Sequence, residues 1–183
     1  AMQTKDPFQF TGLSASLKAG ERNLTEFSLR WAAKVNEKFA YKINVFALKA
    51  DDWEASNMDP TDVSRDDATN PGGYDAVNRY GDEDWWDDGG DSKTFPGLGR
   101  FYRPGIEEKH LVDYDTENLK LTTALHYKIK EDLTAIYAVN FGSGTTVYQG
   151  DNRYSLKDIL FLQNRVELQK KDKWFWRAYS THE

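Results

Sequence analysis

Carboxylates that could hold a metal ion are concentrated in one acidic run of this sequence. Residues 82–91 read Asp-Glu-Asp-Trp-Trp-Asp-Asp-Gly-Gly-Asp. Clustered carboxylates with glycine turns are what a hard cation needs, so the calcium candidates are Asp84, Asp87, Asp88 and Asp91. The Asp-x-Asp-x-Asp-Gly order with a distal glutamate is missing, and solvent that relieves the charge repulsion explains the run as well. We therefore predict no resident metal and no cofactor.

Motifs for enzymatic chemistry are incomplete in this chain. Ser143 stands in the run Asn-Phe-Gly-Ser-Gly, which lacks the glycine two places before the serine that a nucleophile elbow needs. The Gly-Leu-Gly run at residues 97–99 has no third glycine. His110, His126 and His182 are scattered singly, so their spacing does not indicate a zinc site. The sequence predicts that the chain is not an enzyme.

The stretch from 51 to 117 is strongly acidic and rich in aromatic residues. It carries nineteen Asp and Glu against six Lys and Arg, a net charge of −13, and because the whole chain carries −6 the remainder carries +7. Such an element would repel phosphates, which disfavours nucleic-acid binding. A solvated loop kept soluble by its charge is one interpretation. The aromatic density favours another, a loop that folds on itself or on a partner, with ring faces suited to sugars, peptides or planar chelates.

Outside this stretch, apolar and polar residues alternate with the period of two that indicates β-strands. Phe27, Leu29 and Trp31 fall on one face, for example, while Ser28 and Arg30 fall on the other. The alternation lasts about ten residues, which fits a tilted strand that crosses a hydrocarbon core. It predicts strands at about 8–19, 25–35, 39–50, 118–129, 133–148, 159–170 and 174–182, with one long loop at 51–117.

Three short charged turns lie between these strands, at residues 36–38, 130–132 and 171–173. The connections on the other side are very unequal in length, and this asymmetry is typical of outer-membrane β-barrels. Aromatic residues next to the tight turns would lie at headgroup depth as a girdle: Phe39, Tyr41, Tyr127, Trp174 and Trp176. The predicted fold is all-β, with about six to seven antiparallel strands of a larger transmembrane β-barrel and one long extracellular loop.

The composition restricts how such a chain could cross a membrane. No stretch approaches the ~20 consecutive apolar residues of a membrane helix, so strands are the spanning elements expected. Cysteine is absent, which excludes disulfides and thiolate metal sites. The first residues show no apolar signal segment, although a barrel must be exported, and seven strands would leave exposed edges. We therefore expect the chain to be an internal piece of a longer precursor.

Several runs resemble TonB-dependent outer-membrane receptors in the form common among Bacteroidetes. Residues 30–44, Arg-Trp-Ala-Ala-Lys-Val-Asn-Glu-Lys-Phe-Ala-Tyr-Lys-Ile-Asn, followed by Ala-Asp-Asp-Trp at 50–53, resemble the first barrel hairpin of that family. Residues 98–105, 137–144 and 148–154 are similar to later barrel segments. The opening Thr-Lys-Asp-Pro-Phe at 4–8 is similar to the place where the plug domain of these receptors ends and the barrel begins. The resemblance covers nearly the whole chain.

The resemblance implies a large receptor in the bacterial outer membrane, with an N-terminal plug inside a barrel of roughly twenty-two strands. Such a receptor imports a scarce nutrient, namely a chelate, an oligosaccharide or a peptide, with energy passed through TonB. The implied partners are outer-membrane lipid, the plug and remaining strands of the receptor, and TonB through the plug. In the family, outer loops and the lumen wall contact the substrate. The implied contacts are Tyr80, Trp85, Trp86, Phe101 and Tyr102 in the loop, and the lumen-facing Lys42, Asn44, His126 and Arg165.

Two other classes of protein stay open at this point. A barrel of this type could serve as a scaffold, with the acidic loop as a docking surface for surface lipoproteins and no solute crossing. Alternatively, the chain is a soluble β-rich binding domain, since a soluble sheet alternates in the same way and packs its aromatic residues inside. Detergent partitioning discriminates the soluble class, and a plug with a TonB-contacting segment discriminates the transporter from the scaffold.

Overall fold

Long antiparallel strands make up most of the protein. The computed structural model describes residues 4–62, 66–81, 102–103, 105–149 and 153–182, and within them the chain divides into two compact units, residues 1–52 with 115–183 and residues 53–114. The first unit contains β1 (Gly12–Ala19), β2 (Thr25–Lys34), β3 (Phe39–Asp51), β6 (Asp115–Lys130), β7 (Leu133–Gln149), β8 (Arg153–Lys170) and β9 (Trp174–His182). The second contains β4 (Arg79–Tyr80), β5 (Ile106–Glu107) and a 3-10 helix at Glu108–His110.

The seven long strands form one sheet in the order β1-β2-β3-β6-β7-β8-β9. Each long strand therefore pairs, antiparallel, with the next long strand along the chain. Within the described residues, β1 and β9 each pair on one side, so the sheet is open rather than closed on itself. The predicted all-β antiparallel fold is confirmed.

One face of the sheet, called here the apolar face, follows directly from the pairing register. Residues opposite one another on neighbouring strands point to the same side, so apolar residues in register build continuous rows. Two of these rows are Leu17–Phe27–Ala47–Leu119–Ser143–Leu160 and Ala15–Leu29–Val45–Leu121–Phe141–Leu162.

The opposite side of the sheet, called here the polar face, carries the charged residues of the same strands. Two of its rows are Gly12–Ala32–Lys42–Ala124–Ala138–Arg165–Tyr179 and Lys34–Ala40–His126–Ile136–Glu167–Arg177. Alanines stand between the long side chains in both rows. The strands therefore place most of their charged side chains on the polar face and most of their large apolar side chains on the apolar face.

Three predicted strand starts differ from the observed ones by three residues or more, and one of them is β6, which begins at Asp115 rather than at residue 118. The first strand begins at Gly12 rather than at residue 8, because residues 7–10 form a turn in which the Gln9 and Phe10 N–H groups donate to the Asp6 carbonyl. The sixth predicted strand, β8, begins at Arg153 rather than near 159. The connection between β7 and β8 is therefore short, and the inequality of the connections on that side comes from the insertion between β3 and β6.

A β-bulge explains why the start of β8 was missed. Gly144 pairs with Ile159, but Thr146 pairs with Leu156, so one extra residue of β8 lies opposite Thr145. Asp158 adopts a positive φ of 52° there, and its N–H donates to the Thr145 hydroxyl at 3.3 Å. A bulge shifts the alternation by one residue, and the period-two pattern on which a sequence prediction relies ends at that point.

The tight turn between β2 and β3 is fixed by a side-chain oxygen. Asn36 Oδ1 accepts hydrogen bonds from the N–H groups of Lys38 at 2.9 Å and Phe39 at 2.8 Å, which is an Asx turn. Lys34 Nζ lies 2.5 Å from Glu37 Oε1, and this hydrogen bond lowers the pKa of the Glu37 carboxyl. The predicted first hairpin turn is therefore present, and its Glu37 is paired with Lys34 at the end of β2.

The unit at residues 53–114 contains local structure where the sequence predicted one long loop. Its two short strands pair Arg79 with Glu107 and Tyr80 with Ile106, and Pro60 forms an isolated bridge with Ala76. Ala76 and Glu108 are buried in this unit. The interpretation of an acidic loop that folds on itself is therefore supported for the described part of these residues.

Gly144 is the position in β7 where a side chain would collide with the neighbouring strand. A Cβ there would lie 2.9 Å from the Glu117 carbonyl oxygen, whereas a Cβ at Gly142 would lie 4.0 Å from its nearest neighbours. We expect Gly144→Ala to lower the free energy of unfolding by about 1–3 kcal/mol, because backbone must move to relieve the contact. Gly142→Ala is the matched control and should be close to neutral. Denaturant titration measures both, and equal effects would contradict this packing.

Candidate functional site: a charged cluster on the polar face

A cluster of charged and polar side chains from four strands gathers on the polar face. We call it the polar cluster, and it consists of Lys42 on β3, His126 on β6, Arg165 and Glu167 on β8, and Arg177 on β9. The register places Lys42 and Arg165 in one row, and His126, Glu167 and Arg177 in the next. The four strands therefore hold these side chains at fixed spacing.

Burial in this sheet is the reverse of that in a soluble sheet. Lys42 is 4% exposed, His126 7% and Glu167 3%. Every other buried strand residue also lies on the polar face, namely Ala32, Ala40, Ala124, Ile136 and Ala138. The small alanines leave room for the long charged side chains above them. Charged groups are almost never buried unless they are paired, so the hydrogen-bond partners of the polar cluster decide its character.

Glu167 is held by a bidentate ion pair across β8 and β9. Arg177 Nε lies 2.8 Å from Glu167 Oε2, and Arg177 Nη2 lies 3.2 Å from Glu167 Oε1. This fork geometry is the strong form of an arginine–carboxylate pair. Arg165 approaches the same carboxylate less closely, with Nη1 3.6 Å from Oε2. Arg177 is therefore the main partner of the Glu167 carboxylate, and Arg165 is a weaker one.

The N-terminal residues 4–11, called here the inner segment, cross the polar face. Lys42 Nζ donates to the Thr4 hydroxyl at 2.7 Å and to the Lys5 carbonyl at 3.1 Å. Arg30 Nη2 donates to the Phe10 carbonyl at 2.7 Å. The segment is thus hydrogen-bonded to β2 and β3.

Apolar and aromatic contacts add to these hydrogen bonds. Pro7 is fully buried. The Lys128 ammonium on β6 lies 4.2 Å from the centroid of the Phe8 ring, within the range of a cation–π contact. Since its partners stand on three adjacent strands, the inner segment fastens those strands together on the polar face.

A groove of about 720 Å³ lies between the inner segment and the sheet. Its lining includes His126, Arg165, Glu167 and Arg177 from the polar cluster, together with Asp6 and Phe8 from the inner segment. Two atoms in it, His126 Nε2 and Arg165 Nε, are buried and have no hydrogen-bond partner among the residues that the structure describes. The groove is therefore polar and partly enclosed, and two of the buried nitrogen atoms of its lining residues have no hydrogen-bond partner among the described residues.

The lumen-facing residues predicted from alternation share one face of the sheet. Lys42, His126 and Arg165 belong to the polar cluster. Asn44 lies in the adjacent row, opposite Arg30 on β2 and Thr122 on β6. Whether this face lines a lumen stays a prediction.

Two of the predicted loop contacts are engaged within the unit at 53–114. The Tyr80 hydroxyl donates to Glu108 Oε2 at 2.9 Å, and the Tyr114 hydroxyl donates to Glu108 Oε1 at 2.9 Å. Glu108 is completely buried, so Tyr80 satisfies a buried carboxylate. The Tyr102 hydroxyl donates to Asp66 Oδ2 at 3.1 Å. The predicted contacts Tyr80 and Tyr102 therefore stabilise the unit at 53–114, and a ligand role for these two residues stays a prediction.

The remaining predicted loop residues lie outside the described residues. These are the ligand candidates Trp85, Trp86 and Phe101 and the calcium candidates Asp84, Asp87, Asp88 and Asp91. Within the part of the chain that the structure describes, no group of His, Asp and Glu side chains is arranged to hold a metal ion. No helix in those same residues is long and apolar enough to span a membrane.

The sequence analysis assigned no site role to Glu167 or Arg177, and it noted residues 4–8 of the inner segment only through their resemblance to a junction of plug and barrel. Alternation alone places Glu167 on the face of Arg165, but Arg177 becomes its partner only through the register of β8 with β9. Residues 8–11 were assigned to the first strand, although Phe8 and Phe10 are out of phase with Leu13, Ala15 and Leu17. A stronger signal was the Asp-Pro pair at 6–7, which favours a turn.

Comparison with known proteins does not identify a family for this chain. No family model matches the chain, and neither the curated proteins nor the solved structures provide a match.

The Glu167–Arg177 pair should contribute measurably to stability, because one partner is almost fully buried. We expect Glu167→Gln to lower the free energy of unfolding by about 1–3 kcal/mol, since the Arg177 fork loses its charged acceptor. The matched control is Glu117→Gln, which removes a directly opposite but exposed cross-strand pair with Lys49 at 2.8 Å. That change should cost less than about 1 kcal/mol. Denaturant titration compares the two variants, and the reverse order would show that Glu167 is not a structural partner.

Proposed function

We propose that the chain is a segment of an outer-membrane β-barrel that belongs to a nutrient receptor, with its apolar face toward lipid and its polar face toward the lumen. The observation that carries this proposal is the reversed burial. The buried strand residues lie on the polar face, while large apolar side chains on the other face are more than a third exposed. The exposed set includes Leu13, Leu17, Phe27, Trp31, Leu119, Leu121, Leu125, Leu160, Leu162 and Val166. Soluble proteins rarely expose an apolar surface of this extent.

The apolar face has a boundary at each end, as a membrane band requires. The row Lys49–Glu117–Thr145 ends it on the side of the insertion, and Lys49 and Glu117 form an exposed ion pair there. Between Phe39 and Ala47 the face runs for eight residue steps along β3. At ~3.4 Å per residue this is about 27 Å along the strand, which a tilt shortens to the order of the ~25 Å band of outer-membrane barrels.

Aromatic side chains mark the end of the apolar face next to the tight turns. Phe39 pairs with Tyr127, and Trp176 pairs with Leu168 in the same row. One row further in lies Tyr41, whose ring meets that of Trp31 in the following row edge to face, with ring centroids 5.3 Å apart. Amphipathic rings at this position are what a headgroup girdle requires. This arrangement supports the predicted girdle and, with it, the membrane assignment.

Polar groups on the apolar face are satisfied locally where they occur. Asn164 points to this face, and its Oδ1 accepts a hydrogen bond from the Tyr137 hydroxyl at 2.9 Å. A hydrocarbon environment has no water to satisfy such groups, so internal pairing is needed there. The pair is therefore compatible with a lipid-facing position.

For the function of the parent protein we propose TonB-coupled uptake of a chelate, an oligosaccharide or a peptide. The resemblance of the sequence to TonB-dependent receptors supports this, and so does the inner segment, which lies on the polar face where the chain would pass from a plug into the barrel. The plug, the remaining strands and TonB are the partners this function requires. A lipoprotein scaffold would show the same lipid-facing surface, so transport is tested separately from membrane insertion.

Two adjacent residues test the assignment of faces. Ile43 lies on the apolar face between Trp31 and Thr123, and Asn44 lies on the polar face between Arg30 and Thr122. We expect Ile43→Arg in the full-length protein to reduce folded yield in lipid, with a cost of ~2–4 kcal/mol if the site is near the midplane. Asn44→Arg should be mild. Heat-modifiable migration on gels measures the folded fraction.

Equal effects of the two substitutions would contradict the assignment of faces. A monodisperse monomer of the wild-type protein in plain buffer would contradict the membrane proposal as a whole, because its open strand edges and exposed apolar face should aggregate without detergent. That result would favour the soluble β-rich binding domain.

The unit at residues 53–114 should be dispensable for assembly and needed for recognition. Asp51 and Asp115 are direct partners at the ends of β3 and β6, so Asp52 followed by an inserted Asn-Gly can close the gap as a three-residue hairpin turn. We expect replacement of residues 53–114 by a short turn to leave the folded yield unchanged while uptake or lipoprotein capture in cells falls. Unchanged uptake and capture would assign recognition to the polar face instead.

A further inference from the structure

Positive charge on the polar face exceeds the carboxylates that neutralise it. Lys42 is almost fully buried, yet its hydrogen bonds go to a hydroxyl and a carbonyl, neither of which is charged. Arg30 likewise donates to a carbonyl. Among the described residues no carboxylate forms an ion pair with either side chain. A buried cation without an anionic partner is costly, so this arrangement is incomplete as it stands.

Two carboxylates of this region, Glu167 and Asp6, already accept hydrogen bonds from other groups. The two oxygens of Glu167 receive the Arg177 fork. Asp6 Oδ1 accepts the Phe8 N–H at 2.9 Å, which fixes the turn of the inner segment. Arg165 is left with one contact at 3.6 Å, which is long for a hydrogen bond. Arg165 and Arg177 therefore differ, since the Arg177 guanidinium is paired with a carboxylate through two hydrogen bonds and the Arg165 guanidinium is not.

Two buried ring or guanidinium nitrogens of this region lack a hydrogen-bond partner among the described residues. Arg165 Nε is buried and unpartnered among the described residues, and so is Nε2 of His126, a residue that is 7% exposed. Both residues line the 720 Å³ groove under the inner segment. Ala124 and Ala138 separate Lys42 from Arg165 in their row, so no large side chain stands between the two cations. The site thus combines space, positive charge and open hydrogen-bonding groups.

We propose that this groove binds a carboxylate, which the Arg165 guanidinium and His126 Nε2 receive as donors while Lys42 contributes charge. The guanidinium edge matches a planar carboxylate in size and direction. A phosphate fits less well, because it places up to two negative charges on one group and Glu131, Asp132 and Asp172 line the same groove. The ligand class is therefore a small or extended molecule or segment that places one carboxylate in the site.

The carboxylate has two possible sources with the same chemistry. It belongs either to a solute that enters the groove or to an Asp or Glu side chain from a part of the full-length protein outside the described residues. The contacts described above carry this inference by themselves. It rests on the proposed function in one respect, namely that the polar face is the inside of a barrel. The two sources are separated by the measurements below.

The first measurement titrates the full-length protein in detergent with succinate and, as a neutral isostere, with succinamide. We expect calorimetry to detect binding of succinate and not of succinamide. Arg165→Gln should weaken succinate binding at least tenfold, and Arg165→Lys should restore part of it because the charge returns without the fork. Lys120→Gln is the matched control, since it removes a cation from the same face outside the groove. Equal binding of succinate and succinamide would overturn the proposal.

The second measurement applies if a protein carboxylate fills the site, in which case succinate does not bind. Carbodiimide coupling should then join the Lys42 amine to an Asp or Glu outside the described residues, as identified by mass spectrometry, and Lys42→Arg should abolish the product. Coupling to Asp6 or Glu167 instead would overturn the proposal, as would the absence of both succinate binding and coupling.

Folded yield in lipid, measured on the same preparations, keeps this inference distinct from the proposed function. A well-assembled barrel with neither succinate binding nor coupling removes the carboxylate site and leaves the membrane assignment intact. A soluble monomer that binds succinate through Arg165 removes the membrane assignment and keeps the site.

Discussion

Cross-strand register is the constraint on which the other features of this protein depend. Side chains alternate between faces with a period of two, so a slip of one residue between any two strands would exchange the apolar and polar faces of one of them. The Asx turn at Asn36 fixes the register of β2 with β3, and the short turn at 131–132 fixes that of β6 with β7. Together with the registers of β3 with β6 and of β7 with β8, they place Lys42, His126 and Arg165 on one side and Leu29, Val45 and Leu121 on the other.

The sequence predicted those parts of the fold in which local pattern and register agree. The long strands were found because apolar residues recur at every second position, and the polar positions of Lys42, Asn44, His126 and Arg165 followed from the same count. The start of β8 was not predictable in this way, because the extra residue at the bulge changes which positions point to each face. The first strand was predicted to start too early, because residues 7–10 form a turn on the Asp6 carbonyl that a count of alternating residues does not detect.

Contacts between distant residues were the other part that the sequence did not reveal. The Tyr80–Glu108 and Tyr114–Glu108 hydrogen bonds form within a segment that sequence analysis treated as a loop, since two-residue strands leave no periodic signal. The Glu167–Arg177 pair needs the β8–β9 register, and Asp172 with its positive φ of 56° helps to set the turn that determines it. In both cases a buried carboxylate is satisfied by partners that composition and spacing do not identify.

The bulge opposite Thr145 changes which face of the sheet the residues of β8 occupy. On its near side the alternation of β8 matches that of β7, and Leu160 and Leu162 point to the apolar face. Beyond it the positions are exchanged, so that Ser155 takes the apolar side opposite Val147 and Leu156 the polar side opposite Thr146. Lys49 and Glu117 lie at the same level of the sheet. A single inserted residue thus lets one continuous hairpin exchange the two sides of β8 at the level where the row of Lys49 and Glu117 ends the apolar face.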